Sequence, residues 1–96
     1  MTEGRLSGRR ALITGAADGI GLGIARRFAA EGAHVVMADF DHEKAVTEAR
    51  ALTDAGHTAE AVFVDVTDKG AVATMMSTAA PVDILVNNAY RGNGVA

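Results

Sequence analysis

The chain has 96 residues and a mass of 9.8 kDa, the size of one small domain with no room for a second. Hydrophobic residues make up 49% and charged residues 22%, ordinary globular proportions that exclude disorder. With no cysteine and a formal net charge of −3, disulfides, thiolate metal sites and thiol catalysis drop out, and no basic patch exists for nucleic acid. No apolar run is long enough for a membrane span, and nothing like a secretory signal follows Met1–Arg5, so the expectation is a soluble, cytoplasmic domain with a mildly acidic surface.

The predicted elements alternate in type. Residues 10–14, Arg-Ala-Leu-Ile-Thr, form a short apolar run that ends in a glycine-rich turn and reads as a buried strand. From Gly19 to Glu31, Ile20, Ile24 and Phe28 recur every fourth residue with Ala25 and Ala29 beside them, one face of a helix, and Gly32 supplies a left-handed stop. His34–Asp39 is a second strand. Asp41 can cap a second helix in which Ala45, Ala49 and Leu52 share a face, ended by Gly56. Ala61–Asp65 reads as a third strand. Thr67 or Asp68 caps a third helix with Val72, Met75 and Met76 inward, broken at Pro81. Val82–Asn87 is a fourth strand, and residues 90–96 read as a loose tail.

Alternating strands and helices with apolar strands predict a parallel sheet with right-handed crossovers. The expected fold is a Rossmann-type, doubly wound α/β sheet of four strands in the order 3-2-1-4, the first two helices on one face and the third on the other.

The stretch Thr14-Gly15-Ala16-Ala17-Asp18-Gly19-Ile20-Gly21 carries the most chemistry. Gly15 allows a sharp exit from the first strand, Gly19 leaves room for a pyrophosphate, and Gly21 lets the helix pack close to the sheet. Free N–H groups and the helix dipole favour an anion there. Asp39 follows Gly21 by 18 residues, at the end of the second strand, where a carboxylate can accept from adenosine ribose hydroxyls. A solvated strand-end carboxylate, or a cap on the next helix, is the plainer reading of Asp39.

Together these residues resemble the short-chain dehydrogenases/reductases. The TGxxxGxG spacing from Thr14 to Gly21, Asp65-Val66 after the third strand and Asn87-Asn88-Ala89 after the fourth match that family's pattern in order, over residues 6–89. The resemblance implies that Gly15, Ala17, Asp18, Ile20 and Gly21 line the cofactor phosphates and ribose. It further implies that Asp65 and Val66 bracket the adenine, and that Asn88 and Ala89 approach the nicotinamide-side ribose. Asn87 is expected to tie the fourth strand to its neighbour. Cofactor choice follows from charge. A 2′-phosphate needs a cation near the second strand's end or in the glycine loop, where this chain has Asp39 and Asp18, so NAD is expected over NADP. Arg26 and Arg27 lie a turn into the helix, and Lys44 reads as part of a solvated helix face with Glu43, Glu48 and Arg50.

The chemistry implied by the resemblance needs a serine and a tyrosine four residues before a lysine. The one tyrosine is Tyr90, with Gly94 four residues on; the lysines are Lys44 and Lys69, the serines Ser7 and Ser77. No triad can be assembled, so no catalytic residue is assigned and the chain alone is expected to be inactive. Tyr90 stands where the family has glycine, and the segment from Asp65 to Asn87 is about four residues short, close to one helical turn. His34, His42 and His57 read as surface histidines, and no metal site is expected. The resulting expectation is the N-terminal cofactor half of a longer oxidoreductase, acting between nicotinamide and an alcohol or carbonyl. A self-standing dinucleotide-binding module, or a methyltransferase-like domain binding S-adenosylmethionine, are the alternatives. An apolar fourth strand with nothing beyond it is expected to associate through its edge, with another copy or with a further half of the protein.

Overall fold

The structure, a computed structural model, describes residues 4–89; Tyr90 and the tail expected at residues 90–96 lie outside the described residues. Seven elements alternate along the chain: β1 (Arg10–Thr14), α1 (Gly19–Ala30), β2 (His34–Asp39), α2 (His42–Asp54), β3 (Thr58–Phe63), α3 (Lys69–Ala79) and β4 (Ile84–Asn87). The strands form one sheet in the order β3-β2-β1-β4, every pair parallel, which is the predicted doubly wound arrangement.

The two central strands are apolar throughout their middles because both faces are covered. Ala11, Ile13, Val35 and Met37 point to one side, where they meet Leu22, Ala25 and Ala29 of α1 and Ala49 and Leu52 of α2. Leu12, Val36 and Ala38 point to the other, against Val64 and against Met75 and Ala79 of α3. Leu12, Ile13, Val35, Val36 and Met37 are fully buried, each stabilising the fold by roughly 1.5–3 kcal/mol. Register aligns Leu12 with both Val36 and Leu85, so β1 is held on both sides and its carboxyl end is the fixed point from which the first loop departs.

Four details differ from the sequence expectation. The buried stripe of α1 is Gly21, Leu22, Ala25 and Ala29, with Ile24 and Phe28 partly buried against the same core as expected, while Ile20 is 77% exposed. The helix also ends one residue early, at Ala30, with Glu31 as its C-cap. β3 occupies Thr58–Phe63, not Ala61–Asp65, because it pairs with the whole of β2 from His34↔Thr58 to Asp39↔Phe63. It is an edge strand whose outer positions are exposed, so its polar first half hides it in an apolar reading. β4 starts at Ile84 rather than Val82, and Asp83 instead exchanges hydrogen bonds with Arg10 ahead of the strand: its amide donates to the Arg10 carbonyl (2.8 Å) and its carboxylate accepts the Arg10 amide (2.8 Å). Asp68, one of the two expected caps, is the N-cap of α3 and accepts from the Ala71 amide at 3.0 Å.

Candidate functional site

The carboxyl ends of β1, β2 and β4 and the turn after β3 converge on one cleft. The loop from Gly15 to Asp18 leaves β1 and turns straight into α1. Gly15 has φ +66°, and a Cβ there would lie 2.8 Å from Asn88 Nδ2 and 3.1 Å from Ala89 Cα. A Cβ on Gly21 would collide with the Gly15 carbonyl and crowd Asn88 Nδ2. Both glycines are therefore required by close approach, which seats the first turn of α1 against the loop and β4 together. Gly19, at φ +54°, faces open space: a Cβ would meet nothing within 4 Å. The first amides of a helix have no intrahelical acceptor. Asp18, the N-cap of α1, takes one of them, the Gly19 amide, at 2.8 Å.

Asp39, at the end of β2, stands between two loops. Its Oδ2 accepts the Ala17 amide at 2.9 Å and its Oδ1 accepts the Asp41 amide at 2.9 Å. The side chain thus braces the glycine loop and the turn into α2 at once. Asp39 is thus a strand-end carboxylate tied to main chain, and the cap of α2 is Asp41, whose Oδ1 accepts the Lys44 amide at 3.1 Å.

On the other side of the cleft, Thr14 organises the end of β4. Its hydroxyl accepts the amides of Asn88 and Ala89, both at 3.0 Å, and has two acceptors in reach of its own O–H, the Val86 carbonyl (3.4 Å) and Asn87 Oδ1 (3.3 Å). Asn87 accordingly joins β4 to β1, as expected. Asn88 Nδ2 reaches the Gly15 carbonyl at 3.4 Å, so the glycine loop and the end of β4 form one unit.

Gly15, Asp39, Phe40, Val64, Val66, Asn88 and Ala89 line a cleft of about 240 Å³. Of the residues singled out in the sequence, Gly15, Asp39, Val66, Asn88 and Ala89 meet there. Asp18, Gly19, Ile20 and Gly21 belong to the loop and first helical turn above it. Ala17 is buried, with its amide committed to Asp39. Asp65 sits in the turn after β3, where its Oδ1 accepts the Thr67 amide (3.0 Å) and hydroxyl (2.7 Å). Thr14, Phe40 and Val64 were not among the sequence candidates. Thr14 had a usable signal, a hydroxyl at the last position of a buried strand. Phe40 packs on Phe63 with ring centroids 5.7 Å apart, because the β2–β3 register sets Phe63 opposite Asp39.

Charge around the cleft also departs from expectation. Lys44 is not merely part of a solvated face: its Nζ lies 3.1 Å from Asp18 Oδ2. The Lys44 hydrogen bond, helped by the Gly19 amide, holds the Asp18 carboxyl below its ordinary 3.8. The same hydrogen bond holds the Lys44 ammonium above 10.5. The pair exists because α1 and α2 start side by side on one face, each at the end of a central strand. Arg26 and Arg27 point elsewhere, to Glu48 (3.2 Å) and Glu31 (2.9 Å). His34 also has a carboxylate partner that its sequence position conceals, since Nε2 lies 2.8 Å from Glu60 Oε2 on β3. That pair lies at the amino end of the sheet, away from the cleft. Among the described residues, no group of three or more His, Cys, Asp or Glu side chains could hold a metal ion, and no helix is long and apolar enough to cross a membrane.

Comparison with known proteins agrees with this geometry. Galactitol 2-dehydrogenase of Agrobacterium fabrum is 49% identical over 89 residues, covering 88% of this chain and 34% of the relative. The chain thus spans about a third of the length of the curated relatives it matches. A short-chain dehydrogenase from Mycobacterium smegmatis superposes with a TM-score of 0.85 at 37% identity, over 95% of this chain and 41% of that one. The RhlG/NADP complex of Pseudomonas aeruginosa superposes with a TM-score of 0.79 at 34% identity, over 90% of this chain and 36% of that one. The family model described as short chain dehydrogenase matches residues 9–95. A match over that much of the chain shows that it belongs to the short-chain dehydrogenase family.

Proposed function

We propose that the chain is the dinucleotide-binding portion of a cytoplasmic, NAD-dependent oxidoreductase that moves a hydride between nicotinamide and an alcohol or carbonyl substrate. The single observation that carries this reading is the position of Asp39, fixed by two backbone amides on the wall of the cleft. A carboxylate offers about four acceptor sites, so with two amides bound it retains capacity for the paired hydroxyls of an adenosine ribose.

The other residues fit the same ligand. Gly15 and Gly21 admit no side chain, and the open space at Gly19 suits close approach of a pyrophosphate to the first turn of α1. Asp18 and Ile20 flank that approach. Val66, with Phe40 and Val64 beside it, offers an apolar wall for adenine, and Asp65 stands at its rim as an acceptor for the exocyclic amine. Asn88 and Ala89 fall on the nicotinamide side. Bound nicotinamide supplies the hydride acceptor or donor; these residues bind it and orient it.

Family membership disfavours the methyltransferase-like alternative. It leaves the choice between NAD and NADP open, since one structural neighbour is an NADP complex; the preference for NAD rests on the negative charges of Asp39 and Asp18, which repel a 2′-phosphate. The chain by itself is proposed to bind without turnover. Ser7 packs on Gly32 at the far end of the sheet, Lys44 is paired with Asp18, and no tyrosine precedes a lysine by four residues. Catalysis then belongs to further chain of the kind the longer relatives have. The outer side of β4 is where a further strand, or a second copy, would pair: Leu85 is 50% exposed there, and β4 has no outer neighbour among the described residues.

Fluorescence titration with NADH, NADPH and S-adenosylmethionine tests the reading. NADH is expected to bind more tightly than NADPH, with no binding of S-adenosylmethionine. Equal or tighter NADPH binding would contradict the cofactor preference. Steady NADH production from a panel of alcohols, by protein free of host dehydrogenases, would make the chain a complete catalyst and contradict the division of labour.

A further inference from the structure

A cation already in use stands beside the glycine loop that adjoins the cleft. Asp39 accepts the Ala17 amide, Ala17 adjoins Asp18, Asp18 pairs with Lys44 at 3.1 Å, the Lys44 amide donates to Asp41 Oδ1 at 3.1 Å, and the Asp41 amide returns to Asp39. These contacts close a ring through three carboxylates, Asp18, Asp39 and Asp41, with Lys44 its sole cation. Lys44 stands in the first turn of α2, where the helix dipole disfavours positive charge; the surrounding carboxylates offset that. Its side chain is 42% exposed and flexible along a four-carbon stem, so the head group can swing if its partner is lost.

We infer that the Asp18–Lys44 ion pair is a second determinant of cofactor choice, with Asp18 withholding Lys44 from the 2′-phosphate of NADP. This rests on the dinucleotide reading above and sharpens it. With Asp18 charged, the loop presents a carboxylate and a neutralised lysine to any group attached to the ribose that Asp39 reads. With Asp18 neutral, the lysine becomes a free cation at the same rim, and a phosphate dianion gains both the lost repulsion and a charge-assisted hydrogen bond. Asp39 alone does not set the preference; Asp18 adds to it by occupying Lys44.

The test compares NADPH and NADH dissociation constants in the full chain and three variants. Asp18→Asn keeps an efficient N-cap and is expected to lower the NADPH-to-NADH ratio of Kd about tenfold at low salt, with the gain shrinking as ionic strength rises. Asp18→Asn with Lys44→Gln should return the ratio close to that of the unmodified chain. Lys44→Gln alone, which leaves the cap untouched, should raise the ratio, because Asp18 is then unpaired. An unchanged ratio in Asp18→Asn, or a gain that persists in the double variant, would overturn the role of Lys44. So would a ratio unmoved by Lys44→Gln, which also decides the matter should Asp18→Asn fail to fold. Binding of neither cofactor by the unmodified chain would overturn the dinucleotide reading, and this inference with it.

Discussion

The two ends of the sheet carry similar kinds of side chain and use them differently. At the amino end, charged groups find one another: Arg10 lies against His34 and within 3.6 Å of Glu60, its Nε donates to the Ala79 carbonyl at 2.6 Å, and His34 meets Glu60 at 2.8 Å. At the carboxyl end, the Asp18–Lys44 pair apart, the polar groups find the main chain. Asp39 takes two loop amides and Thr14 takes two more from the turn after β4. Side chains paired with each other close a surface. Side chains that hold backbone, and keep acceptor capacity to spare, hold open a cleft of fixed shape. Parallel sheets bind ligands beyond the carboxyl ends of their strands, and here the reason is visible in which partners the polar groups chose.

The sharpest way to break the contrast is Gly21→Val. A side chain there meets the Gly15 carbonyl and Asn88, so the expected outcome is a loss of about 3 kcal/mol in urea unfolding together with NADH binding below detection. Thr14→Val keeps the shape but strips two amides of their acceptor; about 2 kcal/mol of stability should go, with weaker NADH binding as the Asn88–Ala89 turn loosens. A variant as stable as the unmodified chain would mean that the hydroxyl does not organise that turn. At the amino end the same kind of surgery should be mild. Glu60→Gln is expected to cost under about 1 kcal/mol, because the groups are exposed, and to leave NADH affinity unchanged; a tenfold loss of affinity would couple the two ends.

The smallest effect is in titration. Asp18 is held below its ordinary 3.8 and Lys44 above 10.5. The pair's contribution is therefore fully present between those values, lost on the acid side as pH falls through the depressed Asp18 value, and lost on the alkaline side as pH rises through the raised Lys44 value. Carboxyl-carbon NMR should find the Asp18 midpoint below 3.8, moving up in Lys44→Gln. A midpoint that does not move would dissolve the pair in solution.

What could be read from the sequence follows the same division. The central strands and the order of the sheet were legible because Ala11–Ile13 and Val35–Ala38 are apolar on both faces, a pattern that only a covered parallel sheet requires. The glycine loop was legible because its spacing reports backbone approach directly. The edges were not. The first half of β3, Thr58-Ala59-Glu60, is polar at its exposed positions and takes its register only from β2. Ile20 shares the spacing of Ile24 and Phe28, which do pack on the core, yet it is exposed and Leu22 is buried in its place. Pairings between elements, Lys44 with Asp18 and His34 with Glu60, have no trace in local spacing at all; they depend on which helix and strand ends the crossovers bring side by side.

The central claim is that the carboxyl end, and not the amino end, receives a dinucleotide. Amide chemical-shift mapping of the chain with NAD tests it most directly. The account predicts shifts at the amides of Gly15 through Leu22, Asp39 through Asp41, Val66, Asn88 and Ala89, with Arg10, His34, Glu60 and Asp83 unmoved. Shifts centred on Arg10 and His34, or none at the glycine loop at saturating NAD, would contradict it.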